Sequence, residues 1–140
     1  MAYFNRAWEL IDATDRTPEQ DRDLLAVAFA SRQHWVDAGG TVENLAIADW
    51  QVAHAASLAG LADTALAFAA ASSERAEAAD LPVWMKASAH EGLARAYAAA
   101  GDRSGYEREA AHTKELLDAV DDVQDRDLIR SQLASIPVPD

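Results

Sequence analysis

Two short stretches of this sequence combine side chains that could recognise a ligand or move a proton. The first carries Trp50, Gln51 and His54, which supply an aromatic face, an amide and a titratable imidazole. The second carries Glu91 and Arg95, which lie 41 residues after Trp50 and His54 respectively. The equal offset predicts that the two stretches occupy equivalent positions in consecutive repeats. Such a mixture of groups suits the binding of a peptide or a small polar ligand in one groove.

Three further candidates for this groove lie on the preceding helix. Arg32 interrupts an apolar stripe, where an unpaired charge would be costly. We therefore predict that Arg32 pairs with a carboxylate at the groove floor, either Glu91 or Asp49. His34 and Trp35 follow two and three residues later and could form one wall of the groove.

Five of these residues also have a purely structural interpretation. Trp50 could pack in the core, because a shift of one residue in helical register turns it away from the groove. Trp35 could likewise be a core residue with His34 at its edge. Glu91 and Arg95 have the i,i+4 spacing of an ordinary ion pair on a helix surface, which contributes only a few tenths of a kcal/mol. The sequence leaves these alternatives open.

The elements that must position these residues are helices. Thr17 followed by Pro18 is typical of a helix start, and breaks near residues 39, 60, 81, 101 and 121 recur about every twenty residues. No segment shows the two-residue alternation of an exposed strand. We predict a single all-α domain of about seven helices over residues 1–140, an antiparallel helical-hairpin repeat, or α-solenoid. Its parts are an N-terminal helical pair (1–38), two hairpins (41–80 and 82–121) and a capping helix (122–136).

Residues 93–97, Leu-Ala-Arg-Ala-Tyr, followed by Gly101-Asp102, resemble the first helix and turn of a tetratricopeptide repeat. Across almost its whole length the chain also resembles a group of small uncharacterised bacterial tetratricopeptide-like proteins. The stretches that carry this likeness are 30–35, 49–51, 90–96 and 124–126. In tetratricopeptide arrays the first helix of each hairpin lines the concave surface. The resemblance thus implies that the polar and aromatic candidates lie at or near groove-facing positions.

Composition argues against several classes of partner. The chain has 12 basic and 24 acidic residues, and its net charge of −12 repels nucleic acids and anionic membrane surfaces. It has no cysteine, which excludes thiolate nucleophiles, disulfides and cysteine-ligated metals. The amino-terminal residues lack the basic start and apolar run of a signal peptide, and charged residues interrupt every apolar stretch. We therefore expect a soluble cytoplasmic protein.

The sequence offers little that is typical of an enzyme or a metalloprotein. His90-Glu91 begins like the zinc-protease motif H-E-x-x-H, but alanine stands at position 94, where the second ligand belongs. No two of the four histidines have i,i+4 spacing, and glycine-rich nucleotide loops are missing. We expect no metal and no cofactor.

The main functional prediction is a module that binds a protein, a peptide or a small polar ligand in a concave groove between the first helices of successive hairpins. One alternative is a small hydrolase or isomerase that uses His54 and Glu91 as acid and base in an enclosed pocket. The other is a homo-oligomeric scaffold, most simply a homodimer, in which alanine-rich helix faces form a symmetric interface.

Overall fold

The predicted all-helical fold is confirmed by a computed structural model, which describes the backbone of residues 2–13 and 15–140 and, from residue 6 onward, their side chains. This part of the chain forms seven α-helices and no strand. None of these helices is both long enough and apolar enough to cross a bilayer. The helices are α1 (Ala2–Asp12), α2 (Pro18–Asp37), α3 (Val42–Leu58), α4 (Ala62–Ala78), α5 (Val83–Ala99), α6 (Arg103–Leu117) and α7 (Val123–Ala134).

Local signals place the helix ends. Thr17 and Thr41 each cap the helix that follows, and each forms a capping box with the residue three positions later. Helices α2, α3 and α5 end before Gly39, Gly60 and Gly101, whose φ angles are +68°, +76° and +73°. Only glycine adopts this left-handed conformation without a steric penalty, so these three positions end their helices efficiently.

Helix α3 lies at the centre of the fold. It packs against α2, α4 and α5, and every residue from 48 to 56 is buried. Four of those nine residues are alanine, which lets the neighbouring backbones approach closely. Each helix packs against the next one in the chain; α3 also contacts α5, and α5 contacts α7. A helix buried on all sides has no solvated face for its polar residues, so those of α3 need partners within the protein.

Asp49 of α3 is the first of these buried polar residues. Its side chain is fully buried and accepts hydrogen bonds from Arg32 Nε of α2 at 2.6 Å and Arg75 Nε of α4 at 2.8 Å. The predicted pairing of Arg32 therefore forms, and the partner is Asp49 rather than Glu91. Both guanidinium groups keep some contact with solvent, which reduces the desolvation cost of the cluster. The cluster joins three helices through one carboxylate.

We predict that Asp49→Ala lowers the free energy of unfolding by about 3 kcal/mol, because it leaves two half-buried guanidinium groups without their carboxylate. Urea denaturation of the variant measures this loss. The control is Asp127→Ala, which removes an exposed carboxylate 3.4 Å from Arg130 and should leave the urea midpoint almost unchanged. Equal midpoints for the two variants would contradict a central role for Asp49.

Candidate functional site

A pocket of about 190 Å³ opens between five helices and contains the predicted tryptophan. Three of the four tryptophans line it: Trp8 from α1, Trp50 from α3 and Trp84 from α5. The opposite wall is helix α7, which contributes Leu128 and Ile129. These residues are far apart in sequence, so the pocket exists only in the folded chain.

Small side chains create the space between the indole rings. Ala46, Ser72, Ser88 and Ala89 line the pocket where larger residues would fill it. The Ser72 hydroxyl already donates a hydrogen bond to the Ala46 carbonyl at 2.8 Å, so it is satisfied without a ligand. The pocket is therefore a cavity with mainly aromatic and aliphatic walls, which is the usual character of a ligand site.

Trp50 is both a core residue and a pocket wall. Only 4% of its surface is exposed, yet its ring lines the cavity. The ring stacks on Trp8 with centroids 5.3 Å apart and meets the edge of His54 at 5.0 Å. Its Nε1 donates a hydrogen bond to Glu91 Oε2 at 3.0 Å. The two residues that the 41-residue offset made equivalent thus contact each other directly.

Glu91 and Arg95 form a buried ion pair, so their interpretation as a helix-surface pair is wrong. Glu91 is fully buried, and its Oε1 accepts hydrogen bonds from Arg95 Nε at 3.2 Å and from an Arg95 terminal nitrogen at 2.9 Å. The same terminal nitrogen donates to the Gln132 carbonyl at 2.8 Å and to Ser135 Oγ at 3.0 Å. Arg95 thereby connects α5 to the end of α7, where Gln132 also lines the pocket.

His54 is a neutral imidazole behind Trp50. Burial, and then the charges of Arg95 and Arg16, hold the pKa of His54 well below its ordinary value of 6.5. Its Nδ1 is buried and has no hydrogen-bond partner among the described residues. Within the same part of the chain, no hydrogen bond joins His54 to Glu91; each of the two contacts Trp50 instead. The acid–base pair considered from the sequence is not assembled in this arrangement.

The other predicted site residues lie away from the pocket. Gln51 is fully buried in α3, and Arg32 is held by Asp49 and lies over the Phe68 ring at 5.4 Å. His34 is exposed, and half-buried Trp35 meets its ring edge-on at 5.7 Å. Of the eight candidates, only Trp50 lines the cavity, and His54, Glu91 and Arg95 support it from behind. The other four, Gln51, Arg32, His34 and Trp35, do not line this cavity, and their part in a binding groove stays a prediction.

Sequence reasoning missed most of the pocket lining. Trp84, Ser88, Asp125 and Ile129 lie at four-residue intervals on α5 and α7, which places each pair on one helix face. That spacing could have identified the faces. It could not have shown that the faces enclose a cavity, because a packed core has the same periodicity.

Two of the histidines, His90 and His112, contact each other and neighbouring carboxylates. His90 Nδ1 lies 2.7 Å from Glu109 Oε2, and the His90 and His112 rings meet edge-on with centroids 4.3 Å apart. Across the described residues, however, no three histidine, aspartate or glutamate side chains are grouped so that they could hold a metal ion. The contacts of His90 therefore connect helices α5 and α6 rather than suggest a metal centre.

Gly92 provides the first test of how tightly Trp50 is held. A Cβ at this position would lie 2.9 Å from Trp50 Cδ1 and 3.3 Å from Nε1. Gly-to-Ala in an unobstructed helix should stabilise by about 1 kcal/mol. We predict instead that Gly92→Ala destabilises by about 1–3 kcal/mol, the usual cost of overpacking. Thermal and urea unfolding measure the change.

A double-mutant cycle identifies the cause of that loss. If the clash is with the indole, the cost of Gly92→Ala should largely disappear in a Trp50→Ala background, giving a clearly non-additive pair. Additive losses would show that the strain arises elsewhere.

A second test uses the buried imidazole. The unfolded chain takes up a proton at His54 near pH 6.5, whereas the folded protein keeps it neutral. Lowering the pH below 6.5 should therefore reduce the free energy of unfolding, with a slope of up to about 1.4 kcal/mol per pH unit from this group. His54→Gln should remove that contribution, and His34→Gln, at an exposed position, should retain it. Identical slopes for the two variants between pH 7 and pH 5 would refute a neutral buried His54.

Comparisons of this chain with protein-family models, with curated proteins and with solved structures find no match. The candidate site is consequently defined by its own geometry. That geometry is a small cavity with three indole rings, supported by a buried Trp50–Glu91–Arg95 chain of hydrogen bonds.

Proposed function

We propose that this protein is a binding module whose pocket receives an apolar group of a small molecule or of a peptide side chain. The observation that carries the proposal is the cavity of about 190 Å³ with Trp8, Trp50 and Trp84 in its walls. Aromatic walls with a few polar groups at well-defined positions are typical of ligand sites. The polar groups here are Ser88, Asp125 and Gln132, which can orient the part of the ligand outside the apolar space.

The proposal includes a tetratricopeptide-like stack of helical hairpins. Two packing features support it: α3 contacts α5, and α5 contacts α7, as the first helices of successive hairpins would. The hydrogen bond from Trp50 to Glu91 spans the 41-residue offset between the proposed repeats. In this arrangement α1, α3, α5 and α7 form the concave side, and all four contribute to the pocket.

The size of the pocket limits what it can hold. A cavity of about 150 Å³ with apolar walls is large enough for benzene, so this pocket suits one ring or one branched alkyl group rather than a length of peptide. Burying one such group contributes about 1.5–3 kcal/mol. An isolated fragment should therefore bind weakly, with a Kd of the order of millimolar or above, and the complete ligand should gain affinity from the polar rim.

The test is a titration with toluene followed by the indole N–H signals in ¹H–¹⁵N spectra. The signals of Trp8, Trp50 and Trp84 should shift because their rings line the pocket, and the signal of Trp35 should not. Ser88→Leu should fill the cavity and abolish these shifts. Its control is Ser104→Leu, at an exposed position at the start of α6, which should bind toluene like the unaltered protein. Toluene shifts that persist in Ser88→Leu would refute the site.

A further inference from the structure

We infer that the natural ligand of this pocket presents an alkylated ammonium group to the three tryptophans. The inference rests on the proposed function and names the chemical class of the ligand. A cation is attracted to the negative face of an aromatic ring, and indole is the strongest such partner among the side chains. Trp8, Trp50 and Trp84 bring three indoles to one cavity.

The pocket lining itself carries a negative charge. Among the residues that the structure describes, Asp125 is the one ionisable residue in the lining, and it is half-buried in the first turn of α7. A neutral apolar ligand would remove water from the Asp125 carboxylate and supply neither a hydrogen bond nor a charge in its place, which is unfavourable. An ammonium group compensates for that loss directly. The net charge of −12 also raises the local concentration of cations and repels anions.

The hydrogen bond from Trp50 to the buried Glu91 also favours a cationic ligand. Its Nε1 donates to Glu91 Oε2, so a carboxylate polarises the indole and makes its ring face more negative. Arg95 pairs with the other oxygen of Glu91 and also donates to the Gln132 carbonyl and to Ser135 Oγ at the end of α7. One oxygen of Glu91 therefore meets the indole N–H, and the other meets Arg95.

The decisive experiment compares choline with 3,3-dimethyl-1-butanol, which has the same shape but carries carbon in place of the charged nitrogen. Both are titrated into the full chain, and the pocket indole signals report binding. We expect choline to bind about tenfold more tightly, because its cation is attracted to the indole rings and to the Asp125 carboxylate; tenfold in Kd corresponds to about 1.4 kcal/mol. Raising the salt concentration should reduce the preference.

Two variants test the groups that carry the inference. Asp125→Asn should weaken choline severalfold and leave dimethylbutanol bound at least as tightly, because the charge that a neutral ligand desolvates is gone. Asp127→Asn, at an exposed position on the same helix, should affect neither. Trp84→Leu keeps an apolar wall but removes a ring, so it should also weaken choline more than dimethylbutanol. Melting temperatures establish that each variant is folded.

The outcomes separate this inference from the proposed function. Equal or tighter binding of dimethylbutanol would overturn the ammonium assignment and leave the apolar pocket intact. Absence of indole shifts with choline, dimethylbutanol and toluene alike would overturn both. Nα-acetyl-trimethyllysine amide is titrated in the same way to identify the source of the ammonium group. Tighter binding of this compound than of choline assigns the group to a peptide side chain. Tighter binding of choline assigns it to a free small molecule.

Discussion

The buried carboxylate of Glu91 is the group on which the arrangement of helices α3, α5 and α7 depends. One of its oxygens accepts a hydrogen bond from Trp50 of α3, and the other accepts two from Arg95 of its own helix. Arg95 extends the chain to Gln132 and Ser135 at the end of α7. A fully buried carboxylate is tolerated only when its charge is paired and its lone pairs are used. These bonds therefore specify how three helices are placed relative to one another.

Asp49 of α3 is a second buried carboxylate whose charge is paired with arginine. It is also fully buried, and arginines from α2 and α4 hold it. Much of the buried surface is alanine, whose small side chain permits close approach but gives little shape to distinguish one packing from another. Buried ion pairs need defined geometry, so they can supply the specificity that alanine lacks. Asp49 lies on α3, and Glu91 of α5 is bonded to Trp50 of α3, which makes α3 the common reference for α2, α4 and α5.

The pocket follows from the same shortage of bulky side chains. Trp50 is fixed by stacking on Trp8, by its bond to Glu91 and by the absence of a side chain at Gly92. Small residues on α3, α4 and α5 then leave the space beside it unfilled. A rigid ring beside an unfilled cavity is already organised for a ligand and loses little conformational entropy on binding.

The sequence by itself determined the helices, because their signals are local. The capping boxes at Thr17 and Thr41 each join residues three positions apart, and glycines with positive φ end the helices that directly precede them. Such breaks recur about every twenty residues along the sequence. The need of Arg32 for a carboxylate could also be predicted, since a charge in an apolar stripe requires a partner.

Only the tertiary structure decided that the partner of Arg32 is Asp49. It also decided that Trp50 is both a buried residue and part of the pocket wall. It also brought Trp8, Trp84 and Asp125 to the site. Periodicity shows which residues share a helix face, but whether that face meets side chains or empty space depends on the opposing helix. The helix opposite Trp50 carries Gly92 and Glu91. Because these residues are about forty positions from Trp50 along the chain, no local sequence pattern could predict the contact.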